Sequence, residues 1–185
     1  RRVPDRIPFG EFAIDFDTVE RILGHETYVR AKAKCRIAFW EGRRDEVVQS
    51  WKEDGVELFR KLDCIDLVNL NAQAFGLAPA RGERSEAPRK TGDGTWEDRE
   101  GRIYKLSDLT GDITVVSDPV AKAREYTMAE FEAPPAYTPP DPSVFEAIDH
   151  LIAHLGRDRL ILGPSGNPSG LVMLGENEQA YERIA

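Results

Sequence analysis

His150 and His154 lie four residues apart in one helix-like run, the spacing at which two imidazoles can share a metal ion. No Glu follows His150 in the HExxH manner, and both histidines fall opposite Ile148, Leu151 and Leu155. The pattern therefore predicts a solvated helix face. His25 follows Gly24 at a helix junction, where a terminus or capping role is expected. Cys35 and Cys64 lack the second pair that a thiolate metal site would need, so both are expected to be buried, reduced thiols, and no metal site is predicted in this segment.

Carboxamides and hydroxyls are the candidates for substrate contact. Asn69, Asn71 and Gln73 lie at the end of and just after the apolar run CIDLVNL, and they can donate and accept hydrogen bonds without acting as strong acids or bases. Local turn bonding and ligand contact are both open to them. Ser165 and Asn167 sit in GPSGNPSG, whose glycines at 163, 166 and 170 match neither GxGxxG nor a Walker loop. That stretch is either a strand-to-helix turn or a substrate-facing loop, because parallel α/β folds gather ligands at strand carboxyl ends. No nucleophile with an adjacent base is visible, so the catalytic residues stay unassigned. Arg81, Arg84, Arg89 and Lys90, interleaved with Glu83 and Glu86, predict a solvated loop, with carboxylate reading as the alternative use of the arginines. Trp96 and Tyr104 are expected to pack a hairpin onto the main body rather than bind a ring.

The elements that must hold these residues alternate. RIPFGEFAI predicts a strand, Asp15 or Asp17 caps a short helix through Leu23, and Gly24 ends it. Residues 26–62 predict two helices parted near Gly42, the second with Val47, Val48, Trp51, Leu58, Phe59 and Leu62 near one face. A buried strand over 64–70 ends near Asn69 or Asn71. Residues 78–98, rich in Gly, Arg, Glu and Pro, predict a long surface loop, after which GRIYKLS and DITVVSD flank DLTG as a β-hairpin turning near Gly111. Loop and hairpin together make an excursion over 78–120.

A stiff proline-rich connector over 132–142 leads to a helix with Ser143 as its cap, Glu146 three residues on, and Val144, Ile148, Leu151 and Leu155 along one face. Gly156 stops it. RLILGPSG predicts a third buried strand, followed by a last helix. This alternation indicates an α/β fold with parallel strands. Three strands cannot close a (β/α)8 barrel, which takes eight strands and ~250 residues. The expectation is a partial TIM barrel over 1–185, the first part of a longer chain, in keeping with an opening without Met and a close inside a helix-like run.

Composition limits the partners. Lys and Arg number 25 against 33 Asp and Glu, a net charge of −8, which opposes a general polyanion-binding role because phosphate neutralisation needs clustered cations. Nucleic acid is not an expected partner. Hydrophobic residues at 41% supply a core. No apolar run nears the ~20 residues of a bilayer span, and no signal-peptide core opens the chain, so a cytoplasmic location without membrane contact is expected.

RIPFGEF, VERILG, DGVELFRKLDCIDLVNLNAQAFGL, GRIYKLSDLTGDITVVSDPV and LILGPSGNPSGLVMLGENE together resemble the uroporphyrinogen decarboxylase superfamily, which also holds the cobamide-dependent methyltransferases. The resemblance spans most of the 185 residues but only the amino-terminal part of the family's barrel. It implies a (β/α)8 barrel that binds a tetrapyrrole or corrinoid-linked substrate at the strand carboxyl ends. In decarboxylases of the family an arginine pair four apart follows the first strand, and the matching places here are Ala13 and Asp17. An aspartate ends their second strand, where this chain offers Asn69 and Asn71. The family's GxPW-like turn with its tyrosine becomes GNPSGLVML, which keeps Gly166 and Pro168 without the Trp or the Tyr.

A highly anionic porphyrinogen needs the arginines, and proton delivery needs the acid. The resemblance therefore favours methyl transfer involving a corrinoid protein or a small methylated substrate, with porphyrinogen decarboxylation second and a non-catalytic tetrapyrrole- or ligand-binding barrel third. The zinc that methyltransferase relatives hold with His and Cys would be bound by the carboxyl half of the barrel, beyond residue 185. No cofactor is implied within this segment, and the remaining barrel half is an expected partner.

Overall fold

The computed structural model describes residues 7–11, 13–70, 77–83, 86–123 and 138–163. They form an α/β fold with parallel and antiparallel strands, divided into two compact units, Arg1–Glu86 with Asp141–Ser165 and Ala87–Pro140 with Gly166–Ala185. Chain order is α1 (Phe16–Leu23), α2 (Lys32–Trp40), α3 (Arg44–Lys61), β1 (Leu67–Asn69), β2 (Arg89–Gly92), β3 (Thr95–Glu97), β4 (Ile103–Ser107), β5 (Asp112–Ser117), α4 (Pro119–Ala123), a 3-10 turn over Pro142–Phe145, α5 (Glu146–Leu155) and β6 (Leu160–Leu162). Among the described residues the strands do not close into a barrel.

In the first unit β1 pairs in parallel with β6, Leu67 opposite Leu160, Val68 opposite Ile161 and Asn69 opposite Leu162. On its other side β1 meets the opening segment, where Gly10 bridges Leu67 in parallel and the Phe9 carbonyl accepts the amides of Asp66 and Leu67 at 2.8 and 3.1 Å. Glycine is required at that crossing: a Cβ on Gly10 would stand 2.5 Å from the Leu67 Cβ. The expected first strand is thus reduced to a single bridge, and β1 lies between it and β6.

Side-chain alternation gives this small sheet two unlike faces. Val68 is buried and Ile161 packs on the core, which is built from Val47, Val48, Trp51, Leu58 and Phe59 of α3 and from Ala147, Ile148, Leu151 and Leu155 of α5. Burial of each large side chain stabilises the unit by about 1.5–3 kcal/mol. The other face carries Leu67 and Asn69, half-buried, with Leu160 and Leu162 at 61% and 43% exposure.

Both αβ connections are short. Leu62 and Ile65 lead directly from α3 into β1, and the Arg159 guanidinium before β6 reaches the carbonyls of Leu62 and Ile65, so the helix carboxyl ends and strand amino ends share one end of the unit. The amino ends of α3 and α5 therefore lie at the same end as the strand carboxyl ends. α3 carries Asp45 and Glu46 in its first turn and Arg60 and Lys61 in its last, the arrangement its dipole favours. α1 begins after Asp15 and ends at Gly24, where the sequence places it, but the Asp15 side chain makes no capping hydrogen bond and Asp17 lies within the first turn. Residues 26–31 are not helical; α2 begins only at Lys32, because Thr27 and Tyr28 are pinned to Ser50 and Asp54 of α3.

The second unit corrects the loop expected over 78–98. Residues 77–83 belong to the first unit, with Ala78 in its core, and residues 89–97 form a hairpin. With the expected hairpin of β4 and β5, this makes a four-stranded antiparallel meander in the order β2-β3-β4-β5. Gly94, at φ 61°, supplies the positive φ that the turn after Asp93 needs. Trp96 stands opposite Tyr104, and Leu106 opposite Ile113, which is 2% exposed. Trp96 and Tyr104 are thus cross-strand partners inside the meander.

Candidate functional site

Of the carboxamides and hydroxyls expected to meet a ligand, Asn69 is described and Asn71, Gln73, Ser165 and Asn167 lie outside the described residues, as does Arg84 of the basic loop. Asn69 is the last residue of β1. It is half-buried at the strand carboxyl end, on the face turned from the helices and opposite Leu162. The expected position at a strand terminus is therefore occupied by a neutral carboxamide.

At the same end, the amino termini of α3 and α5 build a cluster that local patterning does not reveal. Arg44 opens α3 and is 7% exposed. Its Nε donates to the Pro79 carbonyl at 2.8 Å, Nη1 to Asp45 at 2.8 Å, and Nη2 to the Ser143 carbonyl at 2.7 Å and Glu146 Oε1 at 3.4 Å. Arg81 donates to the same Glu146 oxygen at 2.8 Å, and the Lys52 ammonium to Oε2 at 3.1 Å. Burial alone would raise the Glu146 pKa, but the Lys52 hydrogen bond and the charges of Arg44, Lys52 and Arg81 outweigh it and hold the carboxyl below its ordinary 4.5. Glu146 is consequently an anion, unsuited to proton donation near neutral pH.

The cluster overturns the expected capping box. Ser143 lies inside a 3-10 turn capped by Asp141, whose carboxylate accepts the Ser143 amide at 2.8 Å. Glu146 turns to the three cations, while the Ser143 hydroxyl accepts the Arg81 amide at 2.7 Å. Arg81 thus contacts both Ser143 and Glu146, and Arg89 pairs with Glu97 at 2.9 Å.

Beside the cluster a cleft of about 480 Å³ opens between the α2–α3 turn and residues 79–83, lined by Trp40, Glu41, Arg44, Asp45, Arg81 and Glu83 among others. Its walls mix both signs of charge. The Arg44 hydrogen bond holds the Asp45 carboxyl below its ordinary value. The cleft offers polar, ionic and aromatic contact at the strand-carboxyl end, without a nucleophile and base in contact.

His25 meets Asp54 at 3.2 Å, and Asp54 also accepts from Thr27 Oγ1 at 2.6 Å and Ser50 Oγ at 2.5 Å. Instead of capping a helix, the ring helps tie the α1–α2 connection to α3. The serine hydroxyl is spent on the carboxylate, so this is no Ser–His–Asp relay. Cys35 is buried with its thiol donating to the Tyr28 carbonyl, and burial pushes its pKa up to about 12. Cys64 is exposed, contrary to expectation, because the turn at Asp63 and Cys64 precedes the strand.

The zinc implied by the methyltransferase resemblance does not fit here. Among the described residues no group of three His, Cys, Asp or Glu could hold a metal ion. Cys35 is protonated in the core, and Cys64 stands at the amino end of β1, away from the carboxyl-end face. Among the described residues no helix is long and apolar enough to cross a membrane. Comparison of the chain with protein-family models, curated proteins and solved structures finds no match.

Proposed function

We propose that this chain is the amino-terminal part of a (β/α)8-barrel enzyme resembling the uroporphyrinogen decarboxylase superfamily, and that the enzyme moves a methyl group between a corrinoid or small methylated molecule and an acceptor. The observation that carries the reading is the parallel sheet itself. The Gly10 segment, β1 and β6 lie side by side in chain order, one face covered by helices and the other presenting Leu67, Leu160 and Leu162. Parallel sheets are covered on both faces, and the interior of a barrel is one such cover.

Methyl transfer is preferred to decarboxylation on chemical grounds. Asn69 stands at the strand end where a decarboxylase of the family carries an acid, and a carboxamide cannot deliver a proton to a pyrrole carbon. Ala13 and Asp17 leave no arginine pair after the first strand for a polycarboxylate substrate. What Asn69 can do is orient a polar edge of the substrate by hydrogen bonding. Any zinc would need ligands outside the described residues.

The test uses the full-length gene product. Incubation with methylcobalamin and a thiol is expected to demethylate the corrinoid, read by its absorbance, while uroporphyrinogen yields no coproporphyrinogen. Formation of coproporphyrinogen would replace this reading with decarboxylation. Tight corrinoid or porphyrin binding without turnover would replace it with a binding module.

A further inference from the structure

We propose that the cleft between the α2–α3 turn and residues 79–83 is a binding site for a free α-amino acid with a large apolar side chain. Its volume of about 480 Å³ lies in the range of small-molecule sites, and all its walls belong to the first unit. Walls that carry both signs of charge suit a ligand that carries both. Two of the lining charges keep hydrogen-bonding capacity that the chain does not use.

Those two are Arg81 and Glu83, exposed on either side of Gly82, which turns the chain at φ 85°. The Arg81 guanidinium donates to Glu146 through Nη2 alone, so Nε and Nη1 have no acceptor among the described residues. They are left to hold a carboxylate. The Glu83 carboxylate accepts only the Ala80 amide, at 2.9 Å, and meets no cation among the described residues. It is left to hold an ammonium. No ion pair joins Arg81 to Glu83, although one residue separates them. A zwitterion brings each of them its missing partner.

The walls are held in place before any ligand arrives. Arg44 Nε bonds the Pro79 carbonyl at 2.8 Å and the Arg81 amide bonds the Ser143 hydroxyl at 2.7 Å, which fixes residues 79–81 to α3 and to the turn before α5. On the α2 side the Phe39 ring meets Trp51 edge-on at 5.9 Å, tying that wall to the core. Binding therefore costs little ordering of the protein. Trp40 and Pro79 supply apolar lining for the ligand's side chain, and the two charges set its orientation. This site does not depend on the enzymatic reading.

Isothermal titration of the full-length protein with L-phenylalanine tests the assignment. Saturable binding is expected, with phenylpropionate and phenethylamine, each lacking one of the two charges, weaker by about tenfold or more. Arg81→Gln should weaken phenylalanine and phenylpropionate about tenfold and leave phenethylamine unchanged. Glu83→Gln should weaken phenylalanine and phenethylamine and leave phenylpropionate unchanged. Both residues are exposed, so far-ultraviolet circular dichroism of the two variants should match the wild type. Arg89→Gln, in the second unit, should alter none of the three affinities. Absence of phenylalanine binding, equal affinity for all three compounds, or variants that weaken the three alike would overturn the assignment.

Discussion

Replacing Arg44 with alanine should be the most damaging single change among the charged residues of the first unit. The guanidinium is 7% exposed and donates to two backbone carbonyls and to Glu146. Its bond to Asp45 counts for little, because the Asp45 side chain is 78% exposed. Glu146 keeps Lys52 and Arg81 when Arg44 is removed, so the ion-pair loss stays below the ~3–5 kcal/mol of a buried charge left uncompensated. Two carbonyls also lose charged donors, each worth about 1.5–3 kcal/mol when made, though these losses overlap with the first. A net loss of about 3–5 kcal/mol follows, or roughly 10 °C in melting temperature at 2–4 °C per kcal/mol for a domain of this size. Arg81→Ala is the internal control: the Arg81 side chain is 67% exposed, so removing its bond to the same Glu146 oxygen should cost no more than about 1 kcal/mol. Urea titrations of the full-length protein, followed by far-ultraviolet circular dichroism, compare the two. Equal losses, or a loss below about 1 kcal/mol for Arg44→Ala, would refute the claim that burial rather than charge count sets the strength of the cluster.

Other outcomes follow from the same structure. Because Glu146 titrates below its ordinary 4.5 in the folded protein, its contribution is complete above that pH and is lost as the pH falls through the folded value; Asp45, Asp98, Asp118 and Asp141, all lowered, act in the same direction. Glu146→Gln should lower stability at pH 7 and flatten its decline in acid, and an unaltered pH profile would contradict this. Within this segment a thiol reagent should modify Cys64 in the native protein and reach Cys35 only on unfolding, as peptide mapping would check. Gly10→Ala forces a Cβ into Leu67 and should unpair the opening strand, speeding amide exchange at Asp66 and Leu67, whose donors bond Phe9.

The sequence reveals what is periodic or locally punctuated and conceals what is assembled at a distance. α1 between Asp15 and Gly24, the core face of α3 and the β4–β5 turn all carry local signals, and they appear where expected. The β2–β3 hairpin escapes because RKTG is exposed throughout, leaving Asp93-Gly94 as the one available sign. Arg44 escapes because its partners Ser143 and Glu146 are 99 and 102 residues away, and a charged GRRDE run has the look of a solvated turn. Glu146 has capping-box spacing from Ser143, yet the 3-10 turn takes over the capping. Asn69 is placed at its strand end by the apolar run before it, a run that carries no sign of what the side chain contacts.

A barrel interior is the proposed cover for the sheet face bearing Leu67, Leu160 and Leu162; among the described residues β6 pairs with β1 alone, and the barrel reading expects that face and edge to need further chain. Thermal unfolding of residues 1–185 expressed alone, monitored together with binding of a hydrophobic dye and particle size, should give a broad, dye-binding or aggregated species. A monodisperse monomer that binds no dye and melts in one sharp cooperative transition would contradict the barrel reading.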